Sequence, residues 1–376
     1  MSGPGFTPQP LPQWRRAVLK IGSSLLAGEG GLDPRHAAGI ARFIAESRAK
    51  QREVVLVSSG AVAAGRSRVA SGGDGLVLRQ ALAALGQASL VSFWQQLLDA
   101  PVAQVLLTHD DLRNRRRYLN ARATLRELLR LGALPVINEN DTVAVDELKL
   151  GDNDNLAAAV ASLVDADLLL IATDIDGLYT AHPQRDPDAV PITQVERVTP
   201  ELLAAAGGAA GVLGTGGMRT KLEAAAKAAT AGIATALFCG RDEAVVSALA
   251  KDELRGTLVR AQGDRLRARK QWLRHAPASG CLRIDEGAAS ALHRRGASLL
   301  PGGVTGVEGD FRRGDVIEVV SVAGAAPLAR GLAQYGADEI RRIVGRHSNN
   351  IETVLGFRYG ESVIHRDDLV LLEVAE

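Results

Sequence analysis

Residues Leu134–Ala158, LPVINENDTVAVDELKLGDNDNLAA, join a short apolar run to two polar tetrads. The stretch opens on a short apolar run, LPVI, which is too short for a helix and reads as a strand buried on both faces. Four polar residues follow it directly: Asn138, Glu139, Asn140 and Asp141. A second tetrad, Asp152, Asn153, Asp154 and Asn155, then opens a helical segment. A buried strand that ends in acids and amides and feeds a helix is one unit of an open, mostly parallel sheet. In such sheets ligands bind at the carboxyl ends of the strands.

Runs of the same kind recur on either side. Ala17–Ile21 (AVLKI), Val54–Ser58 (VVLVS), Val102–Leu107 (VAQVLL) and Leu168–Ala172 (LLLIA) read as further strands. Between them lie Ala-, Leu- and Arg-rich helical stretches at 34–50, 77–100 and 110–131, the first opened by Asp33 as N-cap with Pro34 at the first helical position. This alternation predicts a three-layer α/β/α sandwich around a mostly parallel open sheet. After residue 257 the strands shorten and turns crowd together, which predicts a small, mainly-β C-terminal domain. The expected organisation is a flexible tail at 1–13, an α/β domain at 14–257, a basic linker at 258–276 and the mainly-β domain at 277–376.

Charge refines this division. Across 376 residues the formal net charge is +1. It divides into −1 over residues 1–257, +5 over the linker and −3 over 277–376. A nucleic-acid surface is basic, so the acidic C-terminal domain argues against nucleic acid as partner. Aromatic residues make up only 3%, which leaves few platforms for stacked bases. The linker remains the one strongly basic stretch. Cys239 and Cys281 form no disulfide framework and no metal-type spacing, and the Gly- and Pro-rich start lacks an apolar signal segment. Without a continuous apolar run of membrane-spanning length, the expectation is a cytoplasmic protein with no membrane partner.

Three more clusters sit at strand ends. Lys20, beside Gly22, lies within an apolar strand in a chain with only seven lysines against 37 arginines. A phosphate approached through Gly22 would answer its charge; a strand-end Lys reaching to water is the plain alternative. Ser58-Ser59-Gly60 ends the second strand and opens a helix, which suits an anion or carboxylate, or simply caps the helix. TDIDGLYT (Thr173–Thr180) follows a buried strand and can frame a nucleotide, while GTGGMRTK (Gly214–Lys221) sets a glycine-rich loop before a helix carrying Lys221. That is a phosphate cradle, though neither a P-loop nor a Rossmann fingerprint. The two tetrads can bind an ammonium group, position Lys20, or hold Mg²⁺ directly or through water; an Asx-rich turn with helix capping accounts for one of Asp152 and Asp154 but not for both tetrads. Together these features point to phosphoryl transfer from ATP to a small polar acceptor, chemistry that needs positioning and charge neutralisation.

At these residues the chain resembles the glutamate 5-kinases of the amino-acid kinase family. VLKIGSSLL, VSSGAVAAG, VINENDTV, GDNDNLAA, TDIDGLYT and GTGGMRTK stand in the family's order, and the C-terminal stretch from Gly280 to Leu372 resembles a PUA domain. The resemblance covers all but the first dozen residues. It implies transfer of phosphate from ATP, with Mg²⁺, to the γ-carboxylate of L-glutamate, giving L-glutamyl 5-phosphate, the first step of proline biosynthesis. It implies that Lys20 and Lys221 neutralise the moving phosphoryl group and that Asp154 orients them. Ser59, Asp141 and Asn153 would hold glutamate. Lys20, Thr173, Asp174, Thr215, Gly216, Gly217, Met218, Arg219, Thr220 and Lys221 would contact ATP. No metal ligand is assigned to the protein itself. Arg219 departs from the family, which usually has a small residue there. The resemblance further implies inhibition by proline, a homo-oligomer (dimer or tetramer), and hand-off of the product to glutamate-5-semialdehyde dehydrogenase.

Overall fold

The computed structural model describes residues 5–28, 31–69, 73, 75–144, 153–181, 186, 188–206, 217–263, 273–324 and 326–372. The chain divides into two compact units, Met1–Asp264 and Arg265–Glu376.

The first unit is built on an eight-stranded sheet. Its order is Gln194–Val195, Gly256–Val259, Ala234–Cys239, Leu168–Thr173, Arg16–Ile21, Glu53–Ser58, Leu134–Glu139 and Val102–Leu107. All neighbours run parallel except Gly256–Val259 against Ala234–Cys239. The five strands expected from sequence are all present. The chain leaves the central strand Arg16–Ile21 for Glu53–Ser58 on one side and later returns to Leu168–Thr173 on the other. The carboxyl end of Arg16–Ile21 is therefore the point where the strand order reverses, the usual ligand position of such a sheet.

Strand periodicity sorts the core into two layers. Ala17, Leu19 and Ile21, with Val54, Leu56, Leu168 and Leu170, pack beneath the helices Pro34–Ala49, Leu76–Leu97 and Glu243–Leu249. Val18, Val55, Val57, Leu169 and Ile171 face the opposite way, against the helices Arg115–Arg130, Asn153–Leu163 and Met218–Thr230. Because side chains alternate along a strand, Lys20 shares the face of Val18. It points toward the layer that contains the helices starting at Asn153 and Met218, and that local periodicity is what builds the site.

The helix Leu76–Leu97 is long and apolar enough, by length and composition alone, to cross a membrane, although Arg79, Gln80 and Gln87 interrupt its apolar residues. In this fold it belongs to the α/β unit: Leu82, Leu90 and Trp94 are fully buried, the last two in the core under the sheet. It crosses the helix Ala61–Arg66 at backbone contact. A Cβ on Gly86 would lie 1.9 Å from the Ala61 carbonyl oxygen, and one on Gly65 would lie 1.9 Å from that of Leu82. Only glycine permits such an approach.

Two expected boundaries move. The 1–13 segment is not a free tail where it is described: Gln9–Pro10 pairs antiparallel with Glu253–Leu254, and the Leu11 N–H donates to the Asp252 carbonyl at 2.8 Å. Leu11 joins the core, so burial of apolar surface fastens a Pro-rich stretch that composition alone presents as loose. The start of the linker is likewise structured. Leu258 and Val259 lie in the sheet, and the Gln262 N–H donates to Ala229 O at 2.8 Å. Residues 1–4 and 264–272 of the expected tail and linker fall outside the described residues.

The second unit is a five-stranded sheet in the order Val304–Gly309, Gly280–Ile284, Val316–Ser321, Pro327–Leu332, Leu369–Leu371. The helices Glu286–Arg295, Ala337–Ile343 and Ile351–Leu355 accompany it. The linker's last residues belong here, with Leu273 buried among Val316, Leu332 and Val370. The phenol oxygen of Tyr335 accepts from the N–H groups of Tyr359 and Gly360 and donates to Gly360 O at 2.6 Å, so the loop before the final strand is tied to the core.

Candidate active site

Lys20 emerges from the central strand with its side chain 6% exposed, and an isolated buried ammonium costs several kcal/mol. The helix Asn153–Leu163 supplies the answering charge. Its first-turn Asp154, with no exposed side-chain surface, holds Lys20 Nζ at 2.7 Å through Oδ1. Its other oxygen, Oδ2, accepts from Lys221 Nζ at 3.1 Å and from the Thr220 hydroxyl at 2.9 Å. Both come from the first turn of the helix Met218–Thr230. Two parallel crossovers thus deliver two helix N-termini to the end of one strand. Burial pushes the Asp154 carboxyl up, but the Lys20 and Lys221 charges and the hydrogen bonds from Lys20 and Thr220 outweigh it, leaving a pKa of about 2. Burial, reinforced by the Lys20 charge, pushes Lys221 down, while Asp154 opposes. Of these three groups two are cationic and one anionic. The cluster carries a buried excess of positive charge beside two helix N-termini, the environment that favours an anion.

A second cluster adjoins the first through the same helix. Asn153 Nδ2 donates to Ser59 Oγ at 2.7 Å and to Asn138 Oδ1 at 3.1 Å. Asn138 Nδ2 donates onward to Gln87 Oε1 at 3.1 Å. Ser59 stands where the strand Glu53–Ser58 ends, and Gly60, at φ 110°, makes the turn into the next helix. Asp141 lies buried after the strand Leu134–Glu139, its backbone carbonyl accepting from Gln80 Nε2 at 2.9 Å. Burial pushes its carboxyl up, the neighbouring Glu139 charge adds to this and Arg79 opposes it; the result is about 7. Asp141 Oδ1 has no hydrogen-bond partner among the described residues. A buried acidic pair of this kind is a ready seat for an ammonium group, which would answer both the charge and the unmet oxygen.

The remaining residues singled out by sequence divide. Thr173 is buried at the end of Leu168–Thr173, its hydroxyl 3.2 Å from Asp174 Oδ1. Gly217 and Met218 start the helix that carries Lys221. Arg219 is exposed and pairs along its own helix with Glu223 at 2.9 Å, so its charge is answered there. Thr215, Gly216 and Asp152 lie outside the described residues. Sequence reading misses Gln80 and Gln87, which enter from the long apolar helix; their seven-residue separation on an otherwise apolar face is the signal that marks them. Thr220, assigned to the nucleotide from sequence, also places its hydroxyl on Asp154 Oδ2 at 2.9 Å.

Comparison with known proteins agrees with this architecture. The model of the "Amino acid kinase family" matches residues 15–239, and that of the "PUA domain" matches 280–355. A glutamate 5-kinase of Xanthomonas euvesicatoria pv. vesicatoria is 65% identical over 362 residues, covering 94% of this chain and 100% of the relative. One from Xylella fastidiosa is 61% identical over 375 residues, with 98% of each chain covered. Among solved structures, a UMP kinase from Bacillus anthracis aligns at 16% identity with a TM-score of 0.46, over 67% of this chain and 98% of that one. With one fold model spanning most of the first unit, a second in the other unit and these relatives matched from end to end, the chain belongs to the amino acid kinase family, in its glutamate 5-kinase branch with a C-terminal PUA domain.

Proposed function

We propose that the protein transfers the γ-phosphoryl group of ATP to the γ-carboxylate of L-glutamate, as the names of its relatives indicate for them. The observation that carries this reading is the buried pair of lysines sharing the single carboxylate of Asp154. An oxygen of the glutamate carboxylate attacks the γ-phosphorus, the bond from phosphorus to the bridging oxygen breaks, and ADP leaves with that electron pair. The attacking carboxylate is already ionised near neutral pH, so no general base is required. Charge builds on the phosphoryl oxygens and on the leaving group, and Lys20 and Lys221 stabilise it. Asp154 keeps both ammonium groups charged and aimed, and Thr220 fixes Asp154.

Asp141, with Glu139 beside it, takes the α-ammonium of glutamate, while Ser59 and Asn153 supply hydrogen bonds to its carboxylate end. Thr173, Asp174 and the segment from Thr215 to Lys221 receive the nucleotide. Mg²⁺ comes with the phosphates of ATP, on which it commonly relies for much of its coordination. When bound, it adds charge neutralisation to that of the lysines. The product is a mixed anhydride prone to hydrolysis. Direct hand-off to glutamate-5-semialdehyde dehydrogenase, inhibition by proline and a homo-oligomeric assembly complete the reading.

The test is ADP release by the purified chain with ATP, Mg²⁺ and each of glutamate, N-acetylglutamate, aspartate and carbamate in turn. Release with glutamate is expected. Release with N-acetylglutamate and none with glutamate overturns the reading, because acetylation removes the charge that Asp141 is assigned to bind.

A further inference from the structure

The helix Leu76–Leu97 presents three polar side chains at a constant spacing, Gln80, Gln87 and Trp94. Seven residues are close to two helical turns, so all three lie on one face. Each holds a different segment of the acceptor site: Gln80 Nε2 donates to the backbone oxygen of Asp141 at 2.9 Å, Gln87 Oε1 accepts from Asn138 at 3.1 Å, and Trp94 Nε1 donates to Ser58 Oγ at 2.9 Å. Trp94 also fills the core, but apolar packing does not require the two glutamine amides.

We propose that Gln87 is a positioning residue for the acceptor, setting the direction of the amide relay that runs through Asn138 and Asn153 to Ser59. This rests on the reading that Ser59 and Asn153 hold glutamate. A carboxamide has a donor end and an acceptor end, and turning it over exchanges them. In the present sense, Gln87 offers oxygen, so Asn138 turns its nitrogen to Gln87 and its oxygen to Asn153. Asn153 must then present nitrogen, and the same Nδ2 is the donor to Ser59 Oγ at 2.7 Å. Were Gln87 to lose its acceptor, Asn138 would be free to invert, donor would meet donor, and Asn153 would turn its oxygen toward Ser59. Whether Ser59 faces a donor or an acceptor is decided two side chains away.

A further observation bears on Gln87 itself. Its side chain is buried, yet Nε2 has no hydrogen-bond partner among the described residues. A buried amide with an unmet donor is costly compared with the Leu that this helix carries at its other buried positions, such as Leu82 and Leu90. The residue is retained for its other end, the oxygen that meets Asn138.

The experiment compares the full-length protein with Gln87→Met and Gln87→Glu in steady-state assays, with thermal midpoints measured in parallel. Methionine keeps the volume and removes the acceptor. It is expected to raise the glutamate KM by about tenfold or more, the scale of a lost buried hydrogen bond with a partner left unmet, while the ATP KM and thermal midpoint stay near wild type. Glutamate at 87 can accept from Asn138 in either protonation state and is expected to restore most of the glutamate KM. An unchanged glutamate KM in Gln87→Met overturns the inference. So does a rise in both KM values with a lowered midpoint that Gln87→Glu fails to repair, since that is a packing defect. If wild type releases no ADP with glutamate, the functional reading fails and this inference falls with it; if wild type is active, only the inference is at stake.

Discussion

Lys20 Nζ lies 2.7 Å from Asp154 Oδ1, and neither side chain is more than 6% exposed. A strand residue and a first-turn helix residue far apart in the chain thereby form a pair that neither element would tolerate alone. With Lys221 on the other carboxylate oxygen, one anion supports two cations, and the consequences of removing it are calculable.

Asp154→Asn should cost about 3–5 kcal/mol of stability, because it leaves two buried ammonium groups without their counter-charge. The carboxyl's folded pKa of about 2 lies below its ordinary 3.8. Its stabilisation is therefore present above the ordinary value and lost as pH falls through about 4 toward 2. Urea titrations at neutral pH and at pH 3 check both points. Wild type should lose stability between them by more than the variant does.

Lys221→Ala should reduce kcat by about two to three orders of magnitude, the range seen when one electrostatic contact to a developing charge is removed. The glutamate KM should change little. Asp141→Ala should show the converse, a raised glutamate KM with a smaller effect on kcat. Initial-rate measurements over both substrates distinguish these, and an exchange of the two patterns would mean that the two clusters have been assigned the wrong roles.

The pH profile of kcat/KM for glutamate should carry the titration of Asp141. With its pKa near 7, the carboxyl is neutral on the acid side and cannot pair with an ammonium. The parameter should rise with pH through about 7 and level off above it. Asp141→Asn should lower the plateau and abolish that limb. A profile flat between pH 6 and 8 in wild type would contradict an ionised Asp141 as the ammonium seat.

Gly86→Ala should destabilise the first unit by about 1–3 kcal/mol or more, since overpacking displaces neighbouring backbone; here the new Cβ would meet the Ala61 carbonyl oxygen at 1.9 Å. Gly217→Ala is the control. A Cβ there meets nothing within 4 Å among the described residues, and the backbone φ of −71° suits any residue. Its stability should stay within about 0.5 kcal/mol of wild type. Thermal unfolding of the two variants side by side gives the comparison.

Much of this molecule is legible from local pattern. Apolar runs such as Val54–Ser58 and Leu168–Ala172 announce buried strands because both faces must be apolar. The period of two along Ala17–Ile21 already sets Lys20 apart from Leu19 and Ile21. The polar tetrads around Asn138 and Asp154 mark a strand end and a helix start without any knowledge of contacts. What local pattern cannot say is which of these polar groups meet. Asp154 rather than another acid serves both lysines because the crossovers bring the N-termini of the helices Asn153–Leu163 and Met218–Thr230 to one strand end. Arg219, one residue from Thr220, turns away to Glu223 because helical geometry sends adjacent side chains about 100° apart. The pairing of the tail around Leu11 is equally hidden, and the seven-residue spacing along Leu76–Leu97 marks Gln80 and Gln87 without naming what they meet. Leu11 finds its hydrogen-bond partner in Asp252, and Gln87 its partner in Asn138. Such pairings exist only after the sheet has assembled, since burial and hydrogen bonding between distant segments, and not the preferences of either segment, select them.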